Sequence, residues 1–113
     1  MSKIIYLSIP YTFDPEQSFM IVNEVSARLM ESGHVVFSPI SQGHVVCDYL
    51  QDENKNDHDF WMEQCLPMVD VCSQVIVIEI GGKGRDKIRD SRGCVAEIER
   101  ANEKNIPVTY YKY

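Results

Sequence analysis

The chain has 113 residues, 44% hydrophobic and 25% charged, a composition typical of one globular domain with a single modest core. Its formal net charge of -6 at pH 7 would repel a phosphate backbone, which argues against a nucleic-acid polymer as a partner. No CxxC pair occurs, and the three histidines are not spaced around the cysteines like zinc ligands, so the sequence predicts no metal site. The four thiols are expected to be small, buried or half-buried groups in a reducing compartment: Cys47, Cys65, Cys72 and Cys94.

The N-terminus carries one lysine and a short apolar run, which do not make a signal peptide. No apolar stretch approaches the ~20 residues that a membrane helix needs. We therefore expect a cytoplasmic protein without a membrane partner, folded as a single domain over residues 1–113.

The first elements are a strand and a helix. Residues 3–9 form a β-rich run that ends at Pro10. The segment 14–33 then has the punctuation of a helix, because Asp14 can cap its start and Gly33 can end it. A proline after the cap suits the first helical turn.

A second strand is predicted over 34–40, where a proline stops it. Residues 41–55 are polar with little periodicity and predict a long loop, and a second helix follows over 57–71.

The last part of the chain begins with a run of β-branched residues over 73–80, typical of a central parallel strand covered on both faces. Residues 81–90 are glycine-rich and charged and predict a mobile loop. A third helix over 92–105 and a last strand over 106–113 complete the chain.

This alternation of strands and helices predicts an α/β fold with a small, doubly wound parallel sheet, Rossmann- or flavodoxin-like, with helices on both faces. In such sheets ligands bind beyond the carboxyl ends of the strands, where the loops 8–14, 38–56 and 80–92 would gather.

The loop after the first strand reads SIPYTFDP. It is neither GxGxxG nor a Gly-Lys-Ser loop, so it predicts no dinucleotide or P-loop site. Its hydroxyls at Ser8, Tyr11 and Thr12 lie beside a helix N-terminus, a place that suits an anion or sugar hydroxyls. A plain polar loop is the alternative.

The third helix carries the most unusual residue of the chain. Ser91 is a good N-cap, and Gly93 lets a ligand approach the backbone, whose free amides can hold a phosphate. Glu97 is four residues from Ala101 and so points to the same, packed side. A carboxylate there needs a partner to stay charged and is a candidate for chemistry, although a solvated or capping glutamate is the alternative.

Other polar residues have weaker signals. His44 lies in the predicted long loop, which could cover the cleft, while Asp57, Asp59 and Asp70 suit capping or surface roles. The cations of the glycine-rich segment form either a phosphate-seeking lid or a solvated turn: Lys83, Arg85, Lys87 and Arg89.

Three motifs in this order resemble the nucleoside 2-deoxyribosyltransferase superfamily: a Tyr-Leu-Ser-x-Pro opening at 6–10, a Trp-bearing helix before VIVIEI at 75–80, and SRGCVAEIERA at 91–101. The chain looks closest to short members and to the nucleoside 5′-monophosphate N-glycosidases. The resemblance covers nearly the whole chain and implies a doubly wound α/β domain that forms a homodimer or larger homo-oligomer.

The resemblance also implies roles. Glu97 matches the nucleophile that attacks C1′ of a (deoxy)ribose, displaces the base and forms a glycosyl-enzyme ester, and Tyr6 matches a tyrosine that hydrogen-bonds it. An acid at the position of Ser91 resembles the nucleoside-binding transferases, whereas serine resembles the enzymes of 5′-monophosphates. The substrate-binding candidates are Ser8, Pro10, Tyr11, His44, Asp59, Ser91 and Gly93.

One departure from the superfamily concerns the leaving base. The aspartate thought to handle its proton would fall near Cys65 or Leu66, neither of them an acid. Asp59 is the first choice among the possible substitutes. The leading hypothesis is an N-glycosidase or deoxyribosyltransferase acting on a (deoxy)nucleoside 5′-monophosphate, without metal or cofactor. The alternative is a non-catalytic protein that binds a nucleotide or a nucleotide signal.

Overall fold

A computed structural model describes residues 3–113 and contains one parallel sheet with the strand order β2-β1-β3-β4. Residues 1–2 of the expected domain lie outside the described part. The strands are β1 (Ile4–Ser8), β2 (Val35–Phe37), β3 (Gln74–Glu79) and β4 (Val108–Lys112). The helices are α1 (Pro15–Glu31), α2 (Pro39–Val46), α3 (Asp52–Lys55), α4 (His58–Asp70), α5 (Gly84–Arg89) and α6 (Arg92–Glu103), with a 3-10 turn at Cys47–Tyr49.

The strand order creates a topological switch point beside β1. From β1 the chain crosses to β2 on one side, and it later returns to β3 on the other side of β1, where Ser8 is in register with Val77. Ligands of open parallel sheets bind outside the carboxyl ends of the strands at such a point. The end of β1, at Ser8, therefore lies where this fold places a ligand.

Two apolar layers cover the sheet, one on each face. Because side chains alternate along a strand, Ile5 and Leu7 of β1 face α1, whereas Tyr6 lies in the cluster with residues of α4 and α6. The predicted doubly wound α/β fold with helices on both faces is confirmed. The alternation also sends Ser8 to the same face as Tyr6.

The predicted punctuation of the first helix is confirmed. The Asp14 side chain accepts a hydrogen bond from the amide of Gln17 at 3.2 Å, and Pro15 begins α1. Gly33, just beyond the helix, has a φ of 94°, a backbone conformation that glycine adopts without strain.

The predicted long loop over 41–55 is wrong, since this segment forms α2, the 3-10 turn and α3. Pro39 stands at the first turn of α2 instead of ending the predicted strand 34–40, which is shortened to Val35–Phe37. None of these short helices contains a buried residue, so no apolar periodicity marks them in the sequence.

The predicted mobile loop over 81–90 is also wrong in part, because α5 occupies Gly84–Arg89. Ile88 anchors this helix in the core. Gly84 is buried against Glu79, where a Cβ atom would lie 2.7 Å from the Glu79 Cβ. This glycine allows close packing and does not signal a flexible segment.

Within residues 3–113, none of the helices combines the length and apolar character that crossing a membrane requires.

Candidate active site

Glu97 lies on the buried side of α6. Ser91 caps this helix, as predicted, by accepting a hydrogen bond from the amide of Cys94 at 3.3 Å. Cys94, Glu97 and Ala101 follow helical spacing and form the side that packs toward the sheet. Glu97 is only 6% exposed, so its carboxyl group is held inside the protein.

Two hydroxyl groups of β1 bind the Glu97 carboxylate, one on each oxygen. The phenol of Tyr6 donates to Oε2, and the hydroxyl of Ser8 donates to Oε1 at 2.7 Å. Tyr6 and Ser8 are two residues apart on one strand and so point to the same face. The end of β1 thus supplies both donors that the buried acid needs.

The pKa of Glu97 reflects two opposed effects. Burial disfavours the charged form and raises the pKa to about 7, although the hydrogen bonds from Tyr6 and Ser8 lower it. Burial, followed by the nearby charge of Glu97, raises the pKa of Tyr6 far above its ordinary range. Glu97 therefore titrates near neutral pH, while the phenol remains a neutral donor.

Two thiols, those of Cys65 and Cys94, lie beside Glu97 and its hydrogen-bond donors. The Cys94 Sγ is 3.3 Å from the Ser8 hydroxyl, and burial together with the Glu97 charge raises the pKa of Cys94 to about 12. The same two effects raise the pKa of Cys65 to about 11. Both thiols keep their protons at neutral pH, so Glu97 is the member of this cluster that ionises.

Gly93, in the first turn of α6, faces α4. A Cβ at this position would lie 3.8 Å from the Met62 Cε, an ordinary contact. Ser91 is buried, and its hydroxyl is already used as the helix cap. Ser91 and Gly93 flank the first residue of α6, six and four residues before Glu97.

In the described structure the β1–α1 loop forms hydrogen bonds with α1 and α2 and not with Glu97. Tyr11 Oη and His44 Nδ1 are 2.5 Å apart, and the His44 ring stacks on Phe19 with 4.0 Å between centroids. His44 Nε2 also lies 3.2 Å from a carboxylate oxygen of Glu16. Pro10 is buried, and its carbonyl accepts a hydrogen bond from a serine of α1. His44 belongs to α2 and not to a loop, which corrects its predicted setting.

The candidate acids for the leaving base lie at the ends of α4. Asp57 caps this helix by accepting from the amides of Asp59 and its neighbour at 3.0 and 3.4 Å. Asp59 is exposed and six residues before Cys65, which separates them by about 9 Å along the helix axis. At the other end, Asp70 receives two hydrogen bonds from Arg100, at 2.7 and 2.6 Å.

Two arginines of the glycine-rich segment 81–90 form ion pairs with acidic residues. Arg85 pairs with the buried Glu79 and lies 3.6 Å from the centroid of the Tyr110 ring, while Arg89 pairs with Asp86. A cavity of about 440 Å³ lies between this segment and the C-terminal residues, and Glu97 is not among its lining residues. The buried acid Glu79 was not predicted as a site residue, although its alternation with Val75 and Val77 places all three on one face of β3.

Comparison with solved structures assigns the fold to the class of 2-deoxyribosyltransferases. The 2-deoxyribosyltransferase of Bacillus psychrosaccharolyticus shares it with a TM-score of 0.66 and 20% sequence identity, over 96% of this chain and 72% of that enzyme. The Leishmania mexicana 2-deoxyribosyltransferase gives a TM-score of 0.63 and 16% identity, over 97% of this chain and 64% of its own length.

Residues 3–113 match the family described as a domain of unknown function, DUF1937, and the chain belongs to this family. No protein with a curated description matches the sequence.

Proposed function

We propose that the protein cleaves the bond between base and sugar of a (deoxy)nucleoside 5′-monophosphate, as an N-glycosidase or a deoxyribosyltransferase. One observation carries this proposal: a buried carboxylate, Glu97, is held on both oxygens by hydroxyls of β1, from Tyr6 in the middle of the strand and Ser8 at its carboxyl end. The activity named for the structural neighbours, 2-deoxyribosyl transfer, is consistent with it.

In the proposed reaction a carboxylate oxygen of Glu97 attacks C1′ of the sugar. The C1′–N bond breaks, its electron pair leaves with the base, and the base takes up a proton from water. The sugar is then held as an ester of Glu97. Attack on C1′ by water, or by a nitrogen of a second base, breaks the ester and returns the carboxylate, and the attacking group loses a proton to solvent.

The environment of Glu97 suits this role. Burial destabilises the carboxylate relative to an uncharged ester, which favours attack, while Tyr6 and Ser8 keep enough of the acid ionised at neutral pH to react. When the ester breaks, the same two hydroxyls receive the returning charge. They need not move, because they already occupy their positions on β1.

The phosphate is assigned to the start of α6. Free backbone amides in the first turn of a helix can donate hydrogen bonds to an anion. The Ser91 hydroxyl accepts from a backbone amide as the helix cap but retains a proton to donate. A carboxylate at this position would repel the phosphate, so Ser91 favours a monophosphate over a nucleoside.

A second candidate function is nucleotide binding without turnover. It is favoured by Cys65, which lies in α4 beside Tyr6 and Glu97, because the resemblance predicts a carboxylic acid near Cys65 or Leu66. A thiol with a pKa of about 11 is a poor donor to a leaving base at neutral pH. Binding would then persist while base release is slow or absent.

The test is to incubate the protein with ribo- and deoxyribonucleoside 5′-monophosphates and to measure free base by chromatography. Glu97→Gln preserves the shape of the side chain and should abolish base release. Glu99→Gln, on the exposed side of the same helix, is the matched control and should retain it. The assignment of Glu97 as the nucleophile is rejected if Glu97→Gln releases base at the parent rate. Binding that raises the melting temperature without any base released favours the second function.

A further inference from the structure

Ser8 differs from the other predicted substrate-binding residues because it contacts the carboxylate of Glu97 itself. Its side chain is 1% exposed, and its hydroxyl is committed to Glu97 Oε1 at 2.7 Å. We propose that Ser8 is a positioning residue, which together with Tyr6 holds Glu97 ionised and aimed for attack. This inference rests on the proposed function.

The direction of each hydrogen bond follows from the number of protons available. An ionised carboxylate only accepts, so the one proton of the Ser8 hydroxyl is donated to Glu97. Ser8 then cannot also donate to Cys94, whose Sγ lies 3.3 Å from the same oxygen. Cys94 keeps its thiol proton and donates it to Ser8. The Cys94 thiol thus donates a hydrogen bond to the Ser8 hydroxyl, and this hydroxyl donates one to the Glu97 carboxylate.

Tyr6 cannot replace Ser8, because the two donors serve different oxygens. The single phenol proton is used on Oε2, so loss of the serine hydroxyl leaves Oε1 buried without a donor. An unsatisfied, buried carboxylate oxygen is costly, and the group responds by binding a proton. Protonated Glu97 cannot attack C1′.

Among residues 3–113, no further charged group shifts the pKa of Glu97 and could compensate. The titratable groups facing Glu97 are Tyr6 of β1, Cys65 of α4 and Cys94 of its own helix, and burial keeps all three neutral at neutral pH. The neighbouring strand β3 presents Val75 and Val77 to the same layer, and the acid on that face of the strand, Glu79, is paired with Arg85. Control of Glu97 ionisation therefore falls on the two hydroxyls.

The test compares Ser8→Ala with Ser26→Ala. Ser26 is also buried, but its hydroxyl has no hydrogen-bond partner in the described structure, so its removal controls for loss of a buried serine. We expect Ser8→Ala to lower kcat of base release at pH 7 roughly tenfold or more, with little change in KM. The acid limb of its pH profile should move to higher pH, so that the difference in kcat between this variant and the parent becomes smaller in alkaline buffer.

Two further measurements keep the inference testable. Ser8→Cys retains the volume with a weaker donor and should move the acid limb in the same direction but less, even if the alanine variant folds poorly. The pKa of Glu97, measured by a carbon-13 NMR titration of its carboxyl group in the free protein, should rise in both Ser8 variants. Coincident titrations and pH profiles for the parent and both Ser8 variants would overturn the inference. A parent protein that releases no base overturns the proposed function, and the NMR titration then decides separately whether Ser8 controls Glu97 ionisation.

Discussion

Tyr6 and Glu97 stand 91 positions apart in the sequence and share a buried hydrogen bond between the phenol of β1 and the carboxylate of α6. The bond joins the first strand to the last helix at the topological switch point of the sheet. It places the acid against a donor whose own ionisation is suppressed by burial and by the charge of Glu97.

Tyr6→Phe should impair base release at neutral pH. The substitution removes the donor to Oε2, and a hydrogen bond to a charged group contributes about 1.5–3 kcal/mol. The pKa of Glu97 should therefore rise, and the rate at pH 7 should fall about 10- to 100-fold. The matched control is Tyr49→Phe, because Tyr49 is 87% exposed. A Tyr6→Phe profile that overlays the parent would remove Tyr6 from the mechanism.

Glu97 should make the protein less stable as the pH rises from about 4.5 to 7. Burial raises its pKa from the ordinary value of 4.5 to about 7. Between these values the unfolded chain has released the proton that the folded state still holds, so the free energy of unfolding falls as the pH rises. The difference corresponds to roughly 3 kcal/mol.

Urea unfolding at several pH values measures this effect, and Glu97→Gln isolates it from other titrating groups. The parent should lose stability relative to Glu97→Gln between pH 4.5 and 7 and show no further relative change well above pH 7. Parallel curves for the two proteins would mean that the carboxyl group titrates in the folded state as it does in the unfolded chain.

Gly84→Ala should destabilise the fold. A Cβ at Gly84 would lie 2.7 Å from the Glu79 Cβ and 3.0 Å from its Cα, so the backbone of β3 or α5 must shift, at a cost of about 1–3 kcal/mol. Gly82→Ala is the matched control in the same segment, because nothing lies within 4 Å of its Cβ. Equal melting temperatures for the two variants would contradict the packing role of Gly84.

The sequence predicted the fold well wherever apolar residues were buried. Long amphipathic segments such as α1 and the β-branched run of β3 have periodicities that follow from burial, and both were confirmed. The short helices α2, α3 and α5 were not predicted, because a helix without a buried face has no such periodicity. They bury few residues or none, so burial imposes no apolar periodicity on them.

The candidate site was predictable only in part. The helix spacing of Glu97 relative to Ala101 indicated an inward carboxylate, and the resemblance supplied Tyr6 as its partner. Ser8 was predicted as a substrate ligand, because a hydroxyl in a loop gives no sign of which group it will meet. The contact depends on how α6 lies against β1, a tertiary distance that local sequence does not encode.

Cys65→Asp should increase base release if protonation of the leaving base limits the rate. The thiol lies beside Tyr6 and Glu97 and has a pKa of about 11, whereas a buried carboxylic acid near a carboxylate holds its proton at neutral pH and can donate it. The pH profile should change from a rise through pH 7 to a bell shape, because one acid must be protonated while Glu97 is ionised. Cys65→Asn has the same shape without the proton and is the matched control. An aspartate variant no faster than the asparagine variant would contradict the prediction, because it would show that an acid at position 65 does not assist departure of the base.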